Sequence, residues 1–89
     1  MHYTYILSCT DNFDKNCFYV GYTADLNERV RKHRSGATQT TRRFKSIKLV
    51  YYEACLSETD ARRRELELKT GFGRGYAKRR LRDYLSKRV

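Results

Sequence analysis

The chain opens on alternation. Tyr3, Tyr5, Leu7 and Cys9 fall on one side of an extended segment, and Thr4, Ile6 and Ser8 on the other. That is the period of a strand. A polar turn over 10–16 leads into a second aromatic and β-branched run, 17–22, cut by Gly21. It reads as a strand antiparallel to the first. A regular hairpin centred on residue 13 sets Leu7 opposite Tyr19 and Tyr5 opposite Gly21. Tyr5 and Tyr19 then lie diagonally on one face. A bulge would turn one strand's faces over.

The period then changes to that of a helix over 25–34. Thr23 or Asp25 can cap it, and Glu28 stands three residues after Asp25, in capping-box position. Ser35-Gly36 closes it. Arg29 and His33, one turn apart, share a side. Segment 37–47 is Thr-rich and basic, with Arg42, Arg43 and Lys45. It reads as a loop, suited either to phosphate contacts or to plain solvation. Residues 48–54 make a third strand. Ser57, with Asp60 three residues on, opens a second helix over about 58–70. There Ala61, Glu65, Leu68 and Phe72 fall on one stripe, which places Glu65 on the apolar side. A carboxylate is seldom put there unless it is paired or holds a cation. A salt bridge to Arg29, Lys69 or another base is the plain alternative. The run 70–75 fits neither a dinucleotide fingerprint nor a P-loop and reads as a flexible connector. A third helix over 76–87 turns Ala77, Leu81, Tyr84 and Leu85 inward, and Lys78, Arg79, Arg80, Arg82, Lys87 and Arg88 outward. The order β-β-α-β-α-α predicts an α+β fold, a small three-stranded, mainly antiparallel sheet flanked by helices.

Composition narrows the function. With 89 residues there is room for one small domain, 1–89. The net charge of +10 is unevenly spread: residues 1–28 carry −3 and residues 29–89 carry +13. A basic body of this kind attracts phosphate polymers, so DNA is the expected partner and RNA the alternative. Arg42, Arg43, Lys45, Lys69, Arg79, Arg80 and Arg82 are the candidate contacts. No apolar run is long enough for a membrane span and no leader is evident. Three cysteines without CxxC spacing argue against a disulfide framework or a zinc site. They read as buried strand residues in a reducing, cytoplasmic setting.

Tyr3-Thr4-Tyr5, then Tyr19-Val20-Gly21-Tyr22-Thr23, Leu26, Arg29 and His33, and finally Glu65 in Ala61-Arg62-Arg63-Arg64-Glu65, together resemble the GIY-YIG nuclease superfamily. The likeness is to its small stand-alone bacterial members. The first tripeptide keeps only the tyrosine of GIY, and no Asn follows Asn27, where many members carry one near the site. The resemblance implies a divalent-metal-dependent endonuclease that hydrolyses DNA phosphodiesters, with a role in repair or recombination. It casts Glu65 as the ligand of Mg²⁺ or Mn²⁺ and Arg29 as the holder of phosphate oxygens. Tyr5 and Tyr19 line the pocket, one activating or orienting water and the other bonding phosphate. His33 donates to phosphate or relays a proton. The alternative function is a non-catalytic DNA- or RNA-binding module on the same fold.

Overall fold

The computed structural model describes residues 1–87, the side chain of Phe72 excepted. Its elements run β1 (His2–Thr10), β2 (Asn16–Thr23), α1 (Leu26–Arg34), β3 (Ser46–Cys55), α2 (Glu58–Leu68), α3 (Gly71–Arg80) and α4 (Arg82–Ser86). The strands form one antiparallel sheet in the order β2-β1-β3.

The central strand β1 is covered on both faces, and Thr4 through Cys9 are all buried. Its polar members therefore need partners. Thr4 Oγ1 donates to the Ala61 carbonyl at 2.7 Å, and Ser8 Oγ accepts from Asn16 Nδ2 at 2.8 Å. The two faces divide as the alternation predicts. Tyr5, Leu7 and Cys9 pack with Val30 of α1, joined by Tyr19, Phe44 and Leu49. Ile6 packs with Leu68 of α2 and Ala77 of α3, joined by Phe18, Val20 and Tyr51. The β1–β2 register is the regular hairpin, with Tyr5 opposite Gly21 and Leu7 opposite Tyr19. An irregularity lies on the other side of β1. Ile6 pairs with Tyr51 and Leu7 with Leu49, which leaves Val50 as the extra residue.

Asp25 caps α1, its carboxylate accepting the Glu28 N–H. The capping box is half made, because the Glu28 side chain pairs with Arg31 at 2.6 Å instead. Ser57 caps α2 through the Asp60 N–H, as its sequence predicts.

Three expectations are overturned. The glycine run 70–75 is not a connector. Thr70 caps a helix that starts at Gly71 and takes in the whole run. Packing outweighs poor propensity here, because Gly73 lies against the backbone of Glu67 and Leu68, where a side chain has no room. The expected helix over 76–87 is accordingly two pieces that break at Leu81. Ala77 and Leu81 are buried, Tyr84 and Leu85 half-buried, and Lys78, Arg79, Arg80, Arg82 and Lys87 exposed. The outward position expected for Arg88, and the Phe72 side chain on the α2 stripe, lie outside the described residues. The cysteines also depart from expectation. Cys9 is buried, but Cys17 on the edge strand β2 is exposed and Cys55 half-exposed. No helix among the described residues is long and apolar enough to cross a membrane.

Candidate active site

Hairpin and helix together bring Tyr5, Tyr19, Arg29 and His33 to one place. Tyr5 is fully buried and its ring lies over Gly21, its partner on β2. A Cβ on Gly21 would come closer than 3.0 Å to three atoms of that side chain, so the tyrosine needs a glycine opposite it. The Tyr5 hydroxyl is 2.9 Å from His33 Nε2, and Arg29 Nε donates to it at 3.4 Å. The Tyr5 and Tyr19 rings meet the His33 imidazole edge-on, at 5.8 and 5.2 Å between centroids.

His33 is itself fully buried. Its Nδ1 lies 2.6 Å from Oγ1 of Thr41, which is buried too. The proton positions follow from donor chemistry. A buried phenol needs an acceptor. Arg29 Nε can only donate, so Tyr5 gives its proton to His33 Nε2. A neutral imidazole then carries its own proton on Nδ1 and donates it to Thr41. The chain of bonds runs from Arg29 through Tyr5 and His33 to Thr41.

Charge fits this order. Burial raises the Tyr5 pKa above the usual phenol value; Arg29 opposes the rise, while the charges at Tyr19 and Glu65 add to it. Burial, then the Arg29 charge, lowers the pKa of His33 below 6.5 and keeps it neutral near pH 7. The hydrogen bond to Tyr5, chiefly, raises that of Arg29. An unfolded His33 takes up its proton near pH 6.5 while the folded one resists. Stability is therefore full above about pH 6.5 and falls as the pH drops below it. Urea melts at pH 7.5 and 5.5 are expected to show that loss, and His33→Asn to remove most of it. An identical loss in the variant would assign the effect to other groups.

Glu65 comes from α2, its carboxylate 3.0 Å from Lys69 Nζ and its side chain 19% exposed. The salt bridge that stood as the plain alternative is thus present, with Lys69 as the base, and the Glu65 charge is also felt at Tyr5. The other basic candidates are scattered. Lys45 pairs with Asp14, and Arg43 lies 4.3 Å over the Phe44 ring. Arg80 donates to the Tyr76 hydroxyl at 2.9 Å, in a cluster where Tyr76 meets Tyr51, and Glu53 pairs with Arg64. Its first task is to hold α3 on the sheet. Arg42, Arg79 and Arg82 are exposed.

Sequence reasoning missed Thr41. The loop 37–47 is neither simply solvated nor simply a phosphate platform, since it turns Thr41 and Phe44 inward. Nothing in the run Thr38, Thr40, Thr41 marks which hydroxyl does so. Thr40 donates to the Tyr19 hydroxyl at 3.4 Å.

Comparison with known proteins gives the family. A family model described as the GIY-YIG catalytic domain matches residues 1–79. A UPF0213 protein of Staphylococcus haemolyticus is 39% identical over 70 residues, covering 78% of this chain and 80% of that one. UPF0213 proteins of Staphylococcus epidermidis and Staphylococcus aureus are 37% identical over the same shares. No solved structure matches the chain at a significant level. On the match of the family model over most of its length, the chain belongs to the GIY-YIG nuclease family.

Proposed function

We propose that this protein is a divalent-metal-dependent endonuclease that hydrolyses DNA phosphodiester bonds. The observation that carries the reading is the buried bond chain that ends on Arg29, with the Glu65 charge beside it. A pure binding module gains nothing from a carboxylate close to where phosphate would lie.

Each residue has a task in this reading. Arg29 spends its Nε–H on Tyr5, and its paired terminal N–H groups form the fork that grips two non-bridging phosphate oxygens. Their hold strengthens as negative charge builds on phosphorus. Tyr5, protonated and buried, holds Arg29 rather than meeting water. His33 and Thr41 hold Tyr5. Tyr19, half-buried on the edge strand, is the phenol open to the substrate side and orients the attacking water. Water oxygen bonds to phosphorus as the opposite P–O bond breaks.

Among the described residues no group of three or more His, Cys, Asp or Glu side chains can hold a metal. A single carboxylate, completed by waters and phosphate oxygens, is a hard-oxygen donor set that suits Mg²⁺ or Mn²⁺, and Glu65 supplies it. When bound, such a metal lowers the pKa of a coordinated water and offsets charge on phosphate and leaving oxygen. Lys69, which pairs with Glu65, would be free to move to phosphate once Glu65 held a metal.

The direct test is nicking of supercoiled DNA by the purified chain, with Mg²⁺ and with EDTA. Metal-dependent nicking supports the reading; tight, salt-sensitive binding with no nicking would replace it by a binding role. Thr41 gives a finer check. Thr41→Val keeps the shape but strips the acceptor from His33. Single-turnover cleavage is expected to slow by roughly tenfold to a hundredfold with little change in DNA affinity, because about 1–3 kcal/mol of hydrogen bonding is lost behind Arg29. Thr41→Ser should restore the rate. Slow cleavage in both variants would leave Thr41 a packing residue only.

A further inference from the structure

A groove of about 540 Å³ runs between the edge strand β2 and α3. Phe18 and Val20 of β2, Leu68 at the end of α2 and Ala77 of α3 give it an apolar floor, the open flank of the Ile6 core cluster. That floor lies on the sheet face opposite Tyr5, Leu7 and Cys9. Cys17 and Tyr19 also line the groove, although alternation turns their side chains to the other face, where the Tyr19 ring meets His33. What they lend the groove is backbone. One wall is therefore the open edge of β2 itself.

The hairpin fixes which groups that edge presents. The Asp11 N–H donates to the Lys15 carbonyl at 2.9 Å, and on the far side of β1 the Lys45 N–H donates to the Thr10 carbonyl at 2.9 Å. Antiparallel pairs alternate between bonded and unbonded. In the register that sets Cys9 opposite Cys17, Cys17, Tyr19 and Gly21 then bond inward to β1. The N–H and C=O groups of Phe18 and Val20 point outward, where the sheet gives β2 no neighbour. Such an edge is a template for another strand. The far wall selects the charge of that strand. Arg74 and Lys78, one turn apart on α3, are exposed and make no ion pair among the described residues. Lys69 adds a third cation, and no acidic residue lines the groove.

We propose that β2 accepts one more strand on this edge: an extended, acidic segment of a partner protein, with apolar side chains on the groove floor and carboxylates on Arg74 and Lys78. Main-chain bonds to Phe18 and Val20 hold the segment, and the floor and the cations choose it. A second copy of this chain would bring its own cationic rim against this one, and like charges oppose that pairing. A nucleic-acid strand has the charge but lacks the regular ladder of N–H and C=O groups that the edge can pair. Occupying the groove leaves Tyr5 and Arg29, on the other face, untouched, whatever that site does.

The probe is a capped heptapeptide, Glu-Thr-Leu-Thr-Leu-Thr-Glu, which reads the same in both directions and carries leucine and glutamate on one face. Its twin has lysine in place of glutamate. Binding to the full chain is followed by fluorescence anisotropy, and amide hydrogen exchange by NMR. The glutamate peptide is expected to bind more tightly than the lysine peptide, on the order of tenfold, and to slow exchange at the Phe18 and Val20 amides. Methylating alternate peptide nitrogens should weaken binding, on the order of tenfold, in one phase only, since one set of N–H groups faces β2. The double variant Arg74→Glu, Lys78→Glu, which changes exposed side chains, should reverse the preference in favour of the lysine peptide. Equal weakening in both methylation phases overturns strand addition, as does unchanged exchange at Phe18 and Val20. Tighter binding of the lysine peptide to the unaltered chain overturns it too, as does binding of neither peptide at millimolar concentration. A single-stranded oligonucleotide that slows those two amides where the peptides do not would give the groove to nucleic acid. Self-association in light scattering with the same amides protected would give it to a second copy. Either result replaces the partner strand.

Discussion

Glu65→Ala is expected to abolish metal-dependent nicking while DNA binding stays intact or tightens. The Glu65 charge is felt at Tyr5, and no group of three or more His, Cys, Asp or Glu among the described residues offers a substitute metal site. The several kcal/mol of charge stabilisation that a metal supplies correspond to a rate loss on the order of a thousandfold. Binding responds in the opposite sense. The substitution removes a negative charge from the phosphate path and releases Lys69 to bind it. Nicking of supercoiled DNA in Mg²⁺ and affinity in EDTA, measured on the same preparations, check both halves. Undiminished nicking would take Glu65 out of the chemistry, and a fall in rate matched by a fall in affinity would make it a folding residue.

Gly73→Ala is the substitution expected to cost most in stability. The new methyl would overlap the Glu67 carbonyl oxygen and the Leu68 backbone at the end of α2. Backbone at a helix end cannot step aside as a flexible side chain can, so α3 must lift off α2. Overpacking of this kind costs roughly 3 kcal/mol, a fall in Tm of about 12 °C or more for a chain of this size. Gly71 supplies the control. A Cβ there meets nothing within 4 Å, so Gly71→Ala should be neutral or slightly stabilising, since alanine is the better helix former. Thermal melts of the two single variants separate the cases. Equal melting temperatures would mean that the contact between α2 and α3 is not tight.

These glycines also show where the sequence stopped being legible. The sheet could be read because its signals are local. Alternation in 3–9 assigned the faces of β1, and hairpin symmetry placed Tyr5 opposite Gly21. Caps at Asp25 and Ser57 marked two helix starts. The start of α3 could not be read, because three glycines in five positions oppose a helix on propensity alone. Their reason for being helical is a contact with another element. The same division runs through the site. Tyr5, Tyr19, Arg29 and His33 stand at spacings that place them together. Thr41 joins them only because the loop after α1 folds back, and no local rule dictates that. Cys17 was misplaced because strand composition does not distinguish an edge strand from a central one. The bulge at Val50 was missed as well, since it serves β3 alone and leaves the hairpin regular.

The strand order β2-β1-β3 has a consequence during synthesis. The hairpin and α1 are made first and need only short loops to meet, whereas β3 must return across the length of both to pair with β1. Segments leave synthesis in sequence order. Arg29, Tyr5, His33 and Thr41 all precede β3, and Glu65 follows it. On the nuclease reading, the residues proposed to grip phosphate therefore emerge before the carboxylate proposed to cut. On that reading the gripping residues come first and the cutting residue joins them only when α2 docks.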